Sequence, residues 1–425
     1  MARNDWKACT LGEVLTLQRG FDLPERERQS GNVPIISSSG VTGYHNVAKV
    51  RAPGVVTGRY GTLGGVFYLK EDFWPLNTSL YVRDFKGNDP LFISYFLRTL
   101  NLAHQNAAGA VPGVNRNALH MLAVKVPSLP IQRQIASILS AYDTLIENNT
   151  RRIANLEERA RLLYEEWFVK FRFPGHEGVK LMESELGMVP QGWAVVKLGD
   201  IAQELRRSVN PDSVDPETPY VGLEHLPRGS IALTTWGKAQ TVQSTKLLFE
   251  KGDILFGKIR PYLHKVCVAP FNGVCSSDTI VIVPKHHLFE ALALYCVSSD
   301  DVVAFASKTA QGTQMPRANW DILANLPVVS PPQNLLVLFN EIVKSLIDEI
   351  TNFLLRNRIL HQTRDRLLPG LITGEINVSG WSEEKGAKIV ELPERHFAPL
   401  RRVAEVAGTY EPVEPEGTEW KSLWE

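Results

Sequence analysis

Two short segments place a cation behind a glycine at the end of an apolar run. Gly58-Arg59-Tyr60-Gly61-Thr62-Leu63-Gly64 follows Val55-Val56-Thr57, and Gly257-Lys258-Ile259-Arg260-Pro261-Tyr262 follows Asp253–Phe256. A long cationic side chain beside a permissive backbone suits a phosphate contact or a bidentate bond to a guanine edge. A solvated base on a surface hairpin is the alternative for either site alone, and recurrence of the feature counts against it. Short polar side chains gather at matching places: Ser37-Ser38-Ser39-Gly40 and Asn77-Thr78-Ser79 with the first site, Ser276-Ser277-Asp278 with the second. Arg116 and Arg317 recur in the polar loops that follow. The candidate DNA contacts are therefore Arg59, Tyr60, Ser38, Ser39, Asn77, Thr78 and Arg116 in the first half, and Lys258, Arg260, Ser276, Ser277 and Arg317 in the second.

Catalytic chemistry finds no comparable support. Gly252-Asp-Ile-Leu-Phe-Gly257-Lys258 fits seven positions of the phosphate loop GxxxxGK[ST], but Ile259 stands where a hydroxyl must ligand magnesium, and the run reads as a strand. Ser330-Pro331-Pro332-Gln333 is the sole Pro-Pro and lacks the Asn/Asp-Pro-Pro-aromatic form that an amino-methyltransferase needs. There is no GxSxG elbow and no HExxH helix. His286-His287 reads as a solvated turn without a carboxylate framework. Cys9, Cys267, Cys275 and Cys296 show neither CxxC nor metal spacing and suit a reduced, cytoplasmic setting. The chain is expected to catalyse nothing alone and to bind neither metal nor cofactor.

The elements that must carry these sites are written twice. Trp6-Lys-Ala-Cys-Thr-Leu11-Gly12-Glu13-Val14 matches Trp193-Ala-Val-Val-Lys-Leu198-Gly199-Asp200-Ile201. Pro53–Gly61 matches Gly252–Arg260. Asn115-Arg116 ahead of Pro127-Ser-Leu-Pro130-Ile-Gln132 answers Pro316-Arg317 ahead of Ser330-Pro331-Pro332-Gln333. A period near 190–200 residues exceeds the roughly 20–50 residues of a solenoid repeat, so it marks a domain duplication. Within each copy, short β-branched or aromatic runs broken by Gly, Pro and Asn predict a mixed α/β module. One apolar helix is expected at about Pro90–Leu102 and its counterpart around Leu288–Ser298. The copies diverge most around 20–30 and 206–217.

After each Pro-punctuated exit the pattern changes. Apolar residues recur at Ile131, Ile135, Ile138, Tyr142, Leu145, Ile153, Leu156, Ala160, Leu163 and Trp167, with Asn149 on the seam. The second copy gives Phe339, Ile342, Leu346, Ile350, Phe353, Asn357, Leu360, Arg364 and Leu367. Alternating steps of four and three predict a coiled-coil seam rather than the wider stripe of a globular surface helix. Two such rods in one chain should pack on each other. Asn149 and Asn357 are expected either to pair across that seam or to meet water on slightly rotated helices.

The chain therefore reads as α+β: a module over 1–128, a helix and linker over 129–187, a second module over 188–330, a distal helix over 331–376 and a tail over 377–425. Net charge is zero, yet it is unevenly placed. Residues 1–128 hold 14 Lys and Arg against 9 Asp and Glu, a local +5, and residues 371–425 hold 6 against 11, a local −5. Residues 193–330 balance at 13 and 13, so an anionic partner there must meet a local patch. The acidic tail carries Trp381, Trp420 and Trp424, which favour docking on a partner or on the chain's own body. No apolar stretch of about 18 residues could span a bilayer, and the start lacks the layout of a signal peptide.

Module, long helix, module, long helix, with these exits, resembles the specificity subunit of a Type I restriction–modification system over residues 5 to about 376. Gly58-Arg59-Tyr60-Gly61 resembles the family's glycine–basic turn, and Leu367-Leu368-Pro-Gly-Leu-Ile-Thr-Gly374-Glu375-Ile376 resembles its end of the distal helix. The resemblance implies two target recognition domains related by a pseudo-two-fold, each reading half of a bipartite, asymmetric site in double-stranded DNA. It implies an antiparallel coiled coil that spaces them, gripped by two methyltransferase subunits that carry S-adenosylmethionine. It also implies restriction subunits that use ATP and magnesium. The alternatives are a two-module scaffold that binds no DNA, or the same reader in a methylation-only or other phage-defence system.

Overall fold

A computed structural model describes residues 6–102 and 113–378. The first five residues, residues 103–112 and all but the first two residues of the acidic Trp-bearing tail lie outside the described residues. The described chain divides into two compact units, 6–147 with 358–378, and 148–357. The division cuts both long helices, Leu129–Tyr164 and Gln333–Thr373, so each unit holds one module and a stretch of each helix.

In the first unit the apolar runs around Val55 and Tyr81 become the two central strands of an antiparallel sheet. Its spatial order is Thr16–Arg19, Ser79–Asp84, Gly54–Gly58, Val66–Leu69. A second sheet orders Gly40–His45, Val33–Ser37 and Trp74–Pro75. The expected helix spans Pro90–Thr99. Asp89 caps it, its carboxylate accepting the Phe92 N–H at 2.7 Å, and Pro90 occupies the first turn, where no N–H is needed. Phe92, Ile93 and Phe96 bury in the cluster that holds Val55 and Leu80.

The second unit repeats the first sheet strand for strand: Ala202–Glu204, Thr279–Pro284, Ile254–Gly257, Val266–Val268. The segment that mimics a phosphate loop is thus an inner strand. The second sheet differs, with five strands in the order Ser208–Val209, Lys246–Phe249, Gly273–Cys275, Pro219–Val221, Gly237–Lys238. Divergence at 206–217 falls in this sheet. The helix expected around Leu288–Ser298 runs Glu290–Val297, and a further helix, Asp300–Lys308, follows it. The Ser299 hydroxyl starts that helix by accepting the Val302 N–H at 3.3 Å.

Repeated sequence has repeated structural work. Trp6–Thr10 pairs with Ala123–Pro127, and Ala194–Lys197 with Pro327–Ser330. The Leu11 and Leu198 N–H groups donate to the carbonyls of Leu122 and Leu326, each at 2.8 Å. A Cβ at Gly12 would lie 3.1 Å from the His120 carbonyl oxygen, and one at Gly199 would lie 3.0 Å from that of Ala324. Close approach is why Leu-Gly recurs. Gln132, 2% exposed, donates to the Pro127 carbonyl and the Asn88 side chain and accepts the Asp89 N–H, tying the exit to the helix start. Gln333 is exposed instead, and Asn340 ties the second module's helix by accepting the Ala291 N–H at 3.0 Å.

The long helices run antiparallel where they meet inside the second unit: Asn149 bonds Asn357, and the Arg152 guanidinium lies 5.6 Å from the Phe353 ring centre. Ile153, Leu156, Ile350 and Phe353 bury there with Leu354. In the first unit Ile135, Ile138 and Leu145 are buried, Tyr142 is partly buried, and Arg364 pairs with Asp143. The expectation of a strict two-position seam needs correction. Ala136, Leu139 and Val343 are buried as well, whereas Ile342, Leu346 and Leu360 are only partly so. Each helix also leans on a module core, which demands a third apolar row.

Candidate nucleic-acid interface

Each candidate cation sits where three backbone segments converge. At the end of Gly54–Gly58, the Arg59 N–H donates to the Thr78 carbonyl at 2.9 Å, and the Arg59 carbonyl accepts the Val114 N–H at 2.9 Å. In the second module the Lys258 N–H donates to the Asp278 carbonyl at 2.8 Å, and its carbonyl accepts the Ala318 N–H at 2.9 Å. The side chains repeat the match. Arg59 Nη1 donates to the Asn77 carbonyl at 3.3 Å, and Lys258 Nζ lies 3.5 Å from the equivalent carbonyl of Ser277.

This register corrects one pairing. Val114 corresponds to Ala318, so Arg317 corresponds to Gly113 and Arg116 to Trp320. Arg116 opens the helix Arg116–His120 after its cap Asn115, as Trp320 opens Trp320–Leu323 after Asn319. Arg116 and Arg317 both lie near a junction but are not copies of one position. Backbone hydrogen bonds set the alignment, and similar dipeptides in polar loops do not.

In the first module Arg59 stacks on Tyr60, guanidinium carbon 4.4 Å from the ring centre, and Tyr60 is 41% exposed. Among the described residues no carboxylate lies within ion-pair distance of Arg59. Ser38 is buried and Ser39 exposed at the tip of the Val33–Ser37 and Gly40–His45 hairpin. That tip lies against the loop beyond Tyr60, since a Cβ on Gly61 would sit 3.5 Å from Ser38 Oγ. The Asn77 amide is engaged by Asp22, and Thr78 is half-buried, so both position backbone as much as they present side chains.

The second junction is more neutral. Lys258 Nζ is 3.8 Å from Glu204, whose side chain is 6% exposed and also pairs with Arg206 at 2.8 Å. Arg317 meets Asp278 at 3.3 Å. Arg260 is exposed with a left-handed backbone, φ 52°, its N–H held by the Pro316 carbonyl. Ser277 is exposed, and the Ser276 hydroxyl accepts the Asp278 N–H at 3.2 Å. Glu204 is not among the sequence candidates, and Asp278 enters them only as the end of the Ser276-Ser277-Asp278 run, because pairing across strands leaves no local pattern. Beside the junction the surface carries Tyr262, 59% exposed, and Met315, 55% exposed. Among the described residues no three His, Cys, Asp or Glu side chains converge as metal ligands would.

The arrangement offers cations, aromatic faces and short hydroxyls on rigid strand ends, twice. The family described as the Type I restriction modification DNA specificity domain matches residues 3–158 and again 190–360. The chain is 26% identical over 325 residues to the Type I restriction enzyme MjaIX specificity subunit of Methanocaldococcus jannaschii, covering 72% of this chain and 74% of that one. It is 24% identical over 366 residues to the EcoDI specificity subunit of Escherichia coli, covering 77% and 78%. In fold it resembles the crystal structure of a Type I system S subunit from M. genitalium, with TM-score 0.54, 15% identity, and 86% and 96% of the two chains covered.

Proposed function

The chain belongs to the Type I restriction–modification DNA specificity family, and we propose that its two modules read the two halves of one bipartite, asymmetric site. It is a DNA-recognition subunit and not an enzyme. The observation that carries the two-reader reading is the junction repeated at Arg59 and Lys258, the same backbone bonds with different side chains around them. Like scaffolds with unlike surfaces suit two different half-sites, read through the major groove. The charge difference between the junctions supports unequal holds, firmer on the first module's half.

Subunits of this family bind DNA and assemble with modification and restriction subunits. We infer two methyltransferase subunits gripping the long helices, carrying S-adenosylmethionine and flipping adenines out of the duplex. Restriction subunits would bring ATP and magnesium. The 36 residues of the central helix extend about 54 Å at 1.5 Å per residue, against about 34 Å for one duplex turn. That length supports a spacer role. No helix among the described residues is long and apolar enough to cross a membrane, and a cytoplasmic setting suits the reading.

Mapping of methylated adenines in cells carrying the complete system tests it. Two short half-sites with a constant unread spacer are expected, and exchanging residues 1–128 for another relative's module should change one half alone. A contiguous site, or a change in both halves, overturns the reading.

A further inference from the structure

In the second unit the outer strand Val266–Val268 does not end its layer. The Val268 N–H donates to the Ile231 carbonyl at 3.0 Å, and Ala232 bridges Val268 in parallel. Glu157 on the central helix caps the incoming segment, accepting the Ile231 and Ala232 N–H groups at 2.7 and 3.0 Å and the Ser230 hydroxyl at 2.7 Å. Ala232, 1% exposed, packs with Leu156, Ile350 and Phe353. A short stretch of the module's own chain thus fills the slot between sheet edge and helices.

The first unit has the same outer strand, Val66–Leu69. Register makes Tyr68 the counterpart of Val268, since Val66 faces Thr57 as Val266 faces Phe256. Tyr68 pairs with Val55 on its inner side, and among the described residues no segment bridges its outer side. A cavity of about 380 Å³ opens there instead, between Phe67 and Leu69 on the strand, Tyr95 and Arg98 on the module helix, and Asp143 and Glu147 on the central helix. An uncovered strand edge is a ready template for another strand.

We propose that this slot takes a segment of the chain's own tail, residues 386–392, Gly-Ala-Lys-Ile-Val-Glu-Leu, added as a strand beside Val66–Leu69. The described chain ends at Val378, which is 7% exposed in the same core cluster as Val66 and Leu139, so the tail departs from this unit. Seven residues, 379–385, lie between and reach at most about 25 Å when extended. Ala387 offers the small side chain that Ala232 provides in the other copy, Gly386 beside it is smaller still, and Ile389 and Val390 favour a strand. Pro393 then stops it. The charges do not oppose this: the cavity wall balances Lys70 and Arg98 with Asp143 and Glu147, and the segment balances Lys388 with Glu391.

A photo-reactive benzoylphenylalanine at Thr144, an exposed residue of the cavity wall, tests this in the full chain. Irradiation should link Thr144 to the stretch 383–395 of the same molecule, read by mass spectrometry. Links to a second copy, links to a methyltransferase subunit in the assembled complex, or no link to the tail each overturn the proposal. Without the label, hydrogen exchange of the 66–69 amides should quicken about tenfold in the full chain carrying Ile389→Asp with Val390→Asp. Unchanged exchange refutes the added strand.

Discussion

The side-chain amide of Asn149 donates to the side-chain carbonyl of Asn357 over 2.9 Å, joining the two long helices inside one compact unit. Asn149 is 5% exposed, and the Asn357 amide reaches the Thr150 hydroxyl at 3.3 Å. A buried amide pair costs stability relative to leucines and selects one register. Replacing Asn149 alone by Leu should take away the donor to the half-buried Asn357 side-chain carbonyl and lower stability by about 1 kcal/mol. Adding Asn357→Leu should restore or exceed the original stability, with looser register. Denaturant unfolding of the two variants decides, and a neutral single variant would show that the bond contributes nothing.

Arg59→Ala should weaken DNA binding without lowering the melting temperature, because among the described residues its side chain meets only the Asn77 carbonyl and the exposed Tyr60. If it meets a phosphate, the slope of log affinity against log salt should fall by about 0.9. Lys258→Ala should weaken DNA binding and also destabilise, since it strips one cation from the buried Glu204. Glu204→Gln in the same chain should recover the stability but not the DNA affinity. Fluorescence anisotropy across salt, paired with thermal melts, separates the two effects.

Lengthening one helix alone near Asn149 should break the antiparallel register and destabilise the protein. Paired insertions of seven residues near Asn149 and Asn357 preserve it and add about 10 Å. The unread spacer should then lengthen by about three base pairs, at 34 Å per ten, while both half-sites persist. Methylation mapping reads the result, and altered half-sites would remove the spacer role.

The first unit should lose stability in mild acid. His120 Nε2 accepts the Leu17 N–H at 2.9 Å, which requires a neutral ring. Burial, then Arg116 and Lys86 nearby, hold its pKa below the ordinary imidazole value, about 6.5. Below that value the unfolded chain takes up a proton before the folded one does. Stability is therefore complete above about pH 6.5 and falls as pH drops toward the depressed folded value. His120→Gln should flatten this slope, measured by the melting temperature from about pH 7.5 to about pH 5. An unchanged slope in the variant assigns the acid sensitivity to other groups.

Much of this architecture was legible in order and type. The duplication, the central strands around Val55 and Ile254, the helix at Pro90 and both long helices follow from period, turn residues and caps. The Asn149–Asn357 pair was one of two open outcomes, and geometry chose it. The helix Asp300–Lys308 has its own signals, the Ser299 cap with Asp300 and Asp301 in the first turn and Lys308 in the last, but it follows Glu290–Val297 so directly that no loop signal separates the two, and the stripe is wider than its heptads suggest because module cores claim a third row.

The linear chain alone determined that there are two copies of one reader and that a cation follows a glycine in each. Those features depend on local chemistry and repeated order. Only tertiary structure decided that Arg116 and Arg317 are not equivalent, that Glu204 and Asp278 neutralise the second junction, and that one sheet edge is filled while no described residue covers its copy. Each of these depends on which backbone segments hydrogen-bond across dozens of residues, and spacing along the chain carries no record of such pairing.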